Sequence, residues 1–243
     1  MDRARRAGYV ILWFLSTAVP LRAQDSRDTT AGPSTLNSIV TYASIAPSAL
    51  FVIGVHELGH YSFAKMFGGS DVRMGLFQRK PNGGFRIGWT QTGSRQFSPF
   101  EGVVIDAGGT IFSRALAEGM DPLVTYVLAD GPARRVASIT FLIGRFDIPR
   151  YVLQDAIMNL FNHRGSDIDL MVTEIAGAGT IPRTFTYATL LGLLTADLVW
   201  DWDRIGYHWN VAAGETPRRP GSSLSIRPTM MHGGIGVAAS ASW

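Results

Sequence analysis

The chain of 243 residues contains no cysteine, and this absence excludes two kinds of structure. Without thiols the protein has no disulfide framework, and no thiolate can bind a metal ion. A metal site would therefore have to use histidine nitrogens and carboxylate oxygens. Histidines and glutamates are also scarce, with five of each: His56, His60, His163, His208 and His232, and Glu57, Glu101, Glu118, Glu174 and Glu215.

The protein also has little net charge, with 22 basic residues against 19 acidic ones and a formal charge of +3. The basic residues are scattered along the chain, so the composition gives no support to nucleic-acid binding. Apolar residues make up 46% of the chain, which is compatible with membrane segments. A chain built only of membrane spans would be more apolar. We therefore expect membrane segments combined with polar parts.

The N-terminus lacks an apolar run long enough to span a bilayer. Arginines within the first six residues precede an apolar run over residues 9–19, and a polar segment begins at Gln24. This order is typical of a secretory signal peptide. A run of about eleven residues is shorter than the roughly 20 that a transmembrane helix needs. We predict a signal peptide over residues 1–23, cleaved near Ala23, and a polar linker over residues 24–37.

The most informative stretch is a His-Glu-Leu-Gly-His motif at the end of an apolar run. No proline interrupts residues 49–67, so the motif is expected to be helical, with His56 and His60 one turn apart on the same face. Two imidazoles placed in this way can bind one metal ion, and Glu57 then lies beside it. Zinc held by two histidines and a third ligand keeps an open position for water, whose proton a carboxylate can accept. Glu57 has the position for that role.

The segments around the motif predict a helix and a hairpin. The apolar stretch over residues 38–67 would form a helix roughly 40 Å long, enough to cross a bilayer. Alternating apolar residues on both sides of a Pro-Asn-Gly-Gly turn predict a β-hairpin over residues 71–90. Its basic residues favour the cytoplasmic side of a membrane. Further on, the small residues Ala107, Gly108 and Gly109 allow two helices to approach closely.

The later part of the chain is mixed in character. Residues 136–161 contain charged side chains that are unsuitable for a lipid-facing span, whereas residues 184–200 are strongly apolar and could form a short span. Residues 211–243 combine a Pro/Gly linker with short β-like strands. The predicted fold is therefore mainly α, with a polytopic membrane helical core over residues 38–210, a small β-hairpin insertion and a short β-like C-terminal tail.

The motif needs a third metal ligand, and several residues further along the chain are candidates. Ser166 followed by Asp169 resembles a capping box, so a helix is expected to begin there. Acidic residues are common in the first turn of a helix because of the helix dipole alone. On residue type the candidates for the third ligand are Asp167, Asp169, His163, Glu174, Glu101 and Glu118.

With the HELGH motif, the basic hairpin, the small-residue helix and the segment from Asn159 to Asp167, the chain resembles the site-2 protease family of intramembrane zinc metallopeptidases. That family pairs HExxH on its first core helix with an Asn-Leu-x-Pro-x-x-x-Leu-Asp-Gly motif, whose aspartate is the third zinc ligand. Asn159 and Asp167 have the same eight-residue spacing. Asn162, Ser166 and Ile168 replace the proline, leucine and glycine of that motif.

The resemblance implies a zinc-dependent membrane endopeptidase that cuts protein or peptide substrates of the membrane or envelope. His56, His60 and Asp167 would bind Zn²⁺, and Glu57 would be the catalytic residue. The expected location is a bacterial inner membrane. Two alternatives stay open: an exported soluble zinc peptidase of the periplasm or outer envelope, and a non-catalytic metal-binding envelope protein.

Overall fold

The computed structural model describes the backbone of residues 35–79, 83–160, 166–177, 179–217, 223–231 and 234–242, and the side chains of residues 39–79, 83–158, 166–177 and 179–217. The predicted signal peptide over residues 1–23 and most of the predicted linker over residues 24–37 lie outside the described residues. His163 and the side chain of Asn159 lie outside them too.

Secondary structure in the described residues consists of six α-helices, one π-helical segment and two β-hairpins. The α-helices are α1 (Thr35–Met66), α2 (Pro99–Pro122), α3 (Pro132–Leu160), α4 (Asp167–Ala176), α5 (Thr180–Trp200) and α6 (Trp202–Ala213). The π-helical segment, Leu123–Val127, continues α2. The antiparallel hairpins pair β1 (Arg73–Arg79) with β2 (Phe85–Gln91), and β3 (Ser223–Met231) with β4 (Gly234–Ser242). The predicted mainly α fold and the hairpin within residues 71–90 are thus confirmed.

Helix α1 is the candidate for a membrane span. Its residues 39–66 form the only helix in the described part of the chain that is long and apolar enough to cross a membrane. Only 17% of its most apolar 18-residue window is buried within the protein. A helix at the centre of a water-soluble domain buries most of its apolar side chains, which α1 does not. Helix α5, predicted as a short span over residues 184–200, does not meet the same criterion. A core with several spans is therefore not confirmed.

Helix α3 carries charges that its composition alone would place in water. Arg145 and Asp147 are instead buried, with 2% and 5% of their surfaces exposed. Arg145 contacts Asp201 at 2.9 Å, and Asp147 contacts His56 at 2.8 Å. Because paired charges tolerate desolvation far better than single ones, these residues face the interior of the bundle. The charges in residues 136–161 therefore say little about the outer surface of α3.

Glycines bring α1 and α2 into close contact beside the HELGH motif. A Cβ atom at Gly59 would lie 2.1 Å from the Gly108 carbonyl oxygen, and one at Gly108 would lie 2.6 Å from Phe63 Cδ2. Both distances are far below van der Waals contact, so a larger residue at either position would push the helices apart. The predicted close approach at residues 107–109 is confirmed, and it places α2 directly against the histidines of α1.

Helix α4 is held between α3 and α5 by a small apolar core. Four side chains with at most 3% of their surface exposed form this core, one from α3, two from α4 and one from α5: Val152, Ile168, Val172 and Tyr187. The helix begins where the capping pattern predicts, because Ser166 Oγ accepts a hydrogen bond from the backbone N–H of Asp169 at 3.2 Å. Capping and apolar packing together fix the first turn of α4.

Candidate metal centre

Three polar side chains from two helices converge beside the contact of α1 and α2. His56 and His60 of α1 face the same way, with their Nε2 atoms 3.0 Å apart. Asp167, the first residue of α4, has Oδ2 3.2 Å from His60 Nε2 and 3.8 Å from His56 Nε2. Ligand atoms around a tetrahedral zinc with bonds of about 2.0–2.1 Å are separated by about 3.3 Å. The three side chains are therefore spaced so that they could hold one metal ion.

The centre is closed on one side and open on the other. The two imidazoles are almost fully buried, whereas 44% of the Asp167 side chain is exposed. Burial acts to raise the pKa of Asp167, but the hydrogen bonds and positive charge that His56 and His60 supply when protonated outweigh it and hold the pKa well below its ordinary value. Asp167 is therefore ionised at neutral pH, as a carboxylate ligand must be.

The closest partner of the outer nitrogen of each imidazole only accepts hydrogen bonds. His56 Nδ1 lies 2.8 Å from a carboxylate oxygen of Asp147, and His60 Nδ1 lies 2.7 Å from the carbonyl oxygen of Ile105. Each Nδ1 then carries a proton, so in the neutral imidazole the lone pair that can bind a metal ion is on Nε2. When both imidazoles are neutral, two Nε2 lone pairs and the Asp167 carboxylate face one another. A divalent cation satisfies all three acceptors at once, whereas a proton serves only one pair.

Gly109 of α2 provides space in front of the two imidazoles. A Cβ atom at this position would lie 2.4 Å from His56 Nε2 and 2.5 Å from His60 Nε2. These distances are only slightly longer than the bonds of about 2.0–2.1 Å between zinc and imidazole nitrogen. The missing side chain thus leaves room of roughly the size that a bound metal ion needs, and the residues present fit such an ion.

The place of Asp167 depends on the residue two positions further along α4. The buried carboxylate of Asp169 accepts hydrogen bonds from Arg183 and from the Tyr187 hydroxyl, the latter at 3.2 Å. Arg183 is itself 1% exposed, so this is a fully buried ion pair that joins α4 to α5. Asp169 is therefore a structural residue here, and its pairing turns Asp167 toward the histidines.

Among the described residues the other candidate ligands lie elsewhere. Glu174 is on the exposed face of α4 and is not part of the group of three. Glu101 caps α2, where its carboxylate accepts from the backbone N–H of Ser98 at 2.7 Å. Glu118 forms an ion pair with Arg114 at 2.8 Å. None of these three carboxylates reaches His56 or His60 as Asp167 does.

Glu57, the predicted catalytic residue, contacts the first hairpin. Its half-buried carboxylate accepts a hydrogen bond from Thr90 Oγ1 of β2 at 2.7 Å. Glu57 directly follows His56, one of the three converging residues, on α1. The hairpin therefore contacts the residue that follows His56 on α1.

Two residues that contact His56 could not be identified from the sequence. Asp147 holds His56 in its orientation, and the ring of Tyr151, one turn further along α3, stacks on the His56 ring with centroids 5.1 Å apart. Asp147 and His56 are 91 positions apart, so no local pattern joins them. The available signal is weak: ionisable residues inside an apolar helix are usually functional.

Comparisons with protein-family models, with curated proteins and with solved structures found no match. The resemblance to the site-2 protease family thus rests on the motifs alone and stays a prediction.

Proposed function

We propose that the protein is a zinc-dependent membrane endopeptidase in which His56, His60 and Asp167 bind the metal and Glu57 is the general base. The observation that carries this proposal is the convergence of three acceptor atoms on one point. The Nδ1 atoms of the two imidazoles are held by the Asp147 carboxylate and the Ile105 carbonyl oxygen. A carboxylate beside such a group is what metal-assisted hydrolysis requires. The donor set of two imidazoles and one carboxylate, without thiolate, suits zinc.

The residues of the chain have distinct tasks in this reaction. When bound, zinc acts as a Lewis acid that acidifies water and polarises a peptide carbonyl. Glu57 accepts a proton from the attacking water and later donates one to the leaving amine. Asp147 keeps His56 in the tautomer that offers Nε2 to the metal. The exposed side of Asp167 leaves the centre accessible to a peptide.

The setting that we propose is a bacterial inner membrane, with α1 as the span. The apolar and mostly unburied residues 39–66 support this location, and the substrates would be proteins or peptides of the membrane or envelope. A soluble periplasmic peptidase and a protein of the outer envelope are the alternatives. The polytopic arrangement stays a prediction.

The first hairpin has the features of a platform for an extended substrate. Among the described residues β1 and β2 pair only with each other, so each strand has an outer edge without a partner strand. Exposed edges bind peptides by backbone hydrogen bonds, and a peptide must be extended before it can be cut. We propose that the substrate pairs with one of these edges beside Glu57.

The test of the catalytic assignment is the Glu57→Gln variant, with zinc content and cleavage of fluorescein-labelled casein measured on purified full-length protein in detergent. We expect zinc to be retained and cleavage to fall at least about 100-fold, because a general base contributes about 10²–10⁴ to the rate. Cleavage equal to that of the wild type would rule out Glu57 as the base.

A Gly109→Ala variant is the matched control for loss of the metal itself. Its methyl group would occupy the space in front of both imidazoles, so we expect zinc and cleavage to be lost together. A wild-type protein that binds zinc tightly but cuts no substrate would favour the non-catalytic metal-binding alternative.

A further inference from the structure

We infer that the first hairpin positions the general base: Thr90 holds the Glu57 carboxylate, and Gly88 leaves the space in which that carboxylate lies. This inference rests on the proposed function, because it assigns to Thr90 a role in setting the geometry of the reaction. It makes Thr90 a positioning residue, since it acts through Glu57.

The hydrogen bond between Thr90 and Glu57 is short and joins distant parts of the chain. Thr90 Oγ1 lies 2.7 Å from Glu57 Oε2 and 3.1 Å from the Glu57 carbonyl oxygen, across 33 positions of sequence. A hydroxyl has one proton, and the bond to the carboxylate is the shorter of the two. The proton of Thr90 is therefore directed at the group that the reaction uses.

This contact differs from the local bond that several threonines make on the helices of the protein. On α5, the hydroxyl of Thr195 donates to the carbonyl oxygen of Leu191 at 2.7 Å, four positions earlier. Such local bonds are common for threonine in helices and serve only to satisfy the hydroxyl. Thr90 lies on a strand and bonds instead to a carboxylate on another element. The tendency of a threonine hydroxyl to bond to a nearby backbone carbonyl therefore does not explain this contact.

Gly88 supports the same contact from the same face of β2. Residues two apart on a strand point the same way, so position 88 faces α1 as Thr90 does. A Cβ atom at Gly88 would lie 2.6 Å from Glu57 Oε1 and 2.6 Å from Ile53 Cγ2. Its φ is not in the left-handed region, so the glycine is needed for space and not for an unusual backbone conformation.

The base of the hairpin is fixed while its outer part is exposed. Met74 pairs with Thr90 in the strand register, and Val72, just before β1, is buried against Ala64 and Ile105. Toward the turn, Phe77 and Phe85 are 55% and 63% exposed. The part of the hairpin that contacts Glu57 is thus held by α1 and α2, which makes it suitable for orienting a side chain.

The experiment compares Thr90→Val with Thr90→Ser, using cleavage of fluorescein-labelled casein by the purified full-length protein. Valine keeps the shape of threonine without the donor, and serine keeps the donor. We expect Thr90→Val to lower kcat about 10- to 100-fold with KM changed less than about threefold, and Thr90→Ser to recover most of kcat. Thr195→Val is the matched control and should leave kcat unchanged.

Metal binding separates positioning from structural damage. We expect Co²⁺ to bind Thr90→Val with wild-type affinity and the wild-type visible absorption spectrum, because Thr90 touches no metal ligand. Unchanged kcat in Thr90→Val, or a loss of Co²⁺ binding together with kcat, would overturn the inference.

A double-mutant cycle keeps the inference testable if the wild type cuts no substrate, which would instead count against the proposed function. The Tm changes of Thr90→Val and Glu57→Ala in the Co²⁺-loaded protein should then not be additive in the double variant, because the two side chains share one hydrogen bond. Additive Tm changes would overturn the positioning role whatever the activity of the protein.

Discussion

At the residue scale, Asp147 gives the HELGH motif a hydrogen-bond partner that the five residues of the motif do not predict. A metal-binding imidazole usually donates its second N–H to a carboxylate or carbonyl, which fixes its tautomer and raises its basicity. His56 has such a carboxylate in Asp147, and His60 has such a carbonyl in Ile105. The arrangement behind the imidazoles is as informative about metal binding as the motif itself.

Replacing Asp147 by asparagine should weaken metal binding. The amide carries no charge and can turn its NH₂ group toward His56, which favours the wrong tautomer. We expect zinc affinity, measured by competition with a chromogenic chelator, to fall about 10- to 100-fold. Asp203→Asn, at an exposed position on α6, is the control and should bind zinc as the wild type does. Equal affinity in all three proteins would contradict a role for Asp147.

At the scale of elements, the ten-residue helix α4 decides which carboxylate reaches the histidines. A helix of this length is marginal by itself, so its position depends on its cap and on its neighbours. The Ser166 cap, the apolar contacts of Ile168 and Val172, and the buried ion pair of Asp169 with Arg183 supply these constraints.

Breaking that ion pair should loosen α4 and the candidate metal centre with it. Arg183→Met leaves the Asp169 carboxylate buried without its cation, which typically costs about 3–5 kcal/mol. We expect a lower Tm and weaker zinc binding. The double variant Arg183→Met with Asp169→Asn removes the uncompensated charge and should recover a large part of the Tm. A double variant no more stable than Arg183→Met alone would show that the charge is not the cause.

At the scale of the whole molecule, α1 exposes large apolar side chains. Tyr42 and Phe51 are 71% and 53% exposed on this helix. Water-soluble proteins rarely expose apolar side chains along a whole helix, whereas a lipid-facing helix does so by necessity.

Fractionation of cells that express the full chain tests this surface. We expect the wild type to stay in membranes washed at high pH and in urea. The combined Tyr42→Asp and Phe51→Asp variant should be released in part, because an aspartate costs about 2.5–3.5 kcal/mol near the centre of a span, where Phe51 lies, and a smaller amount near its start, where Tyr42 lies. Phe77→Asp, at a 55% exposed position of the hairpin, should remain in the pellet. Release of the wild type would favour the soluble periplasmic alternative.

Local patterns of sequence predicted much of the fold. The Pro-Asn-Gly-Gly turn marks the first hairpin, Ser166 marks the start of α4, and the small residues at 107–109 mark a close helix contact. Each of these depends on a few neighbouring residues, so it can be recognised without the rest of the chain. The interior position of the charges on α3 could not be predicted, because their partners come from other helices.

The sequence by itself determined that His56 and His60 share one helix face with Glu57 beside them, since helical periodicity alone places residues i and i+4 together. The tertiary structure decided which carboxylate joins them. Asp167 and Asp169 are equivalent by residue type and neighbourhood, yet Arg183 on α5 binds Asp169 and leaves Asp167 facing the imidazoles. The tertiary structure also places Asp147, which is 91 positions away in sequence, within hydrogen-bond distance of His56. Ligand choice and imidazole orientation depend on how helices pack, and packing is a property of the whole chain.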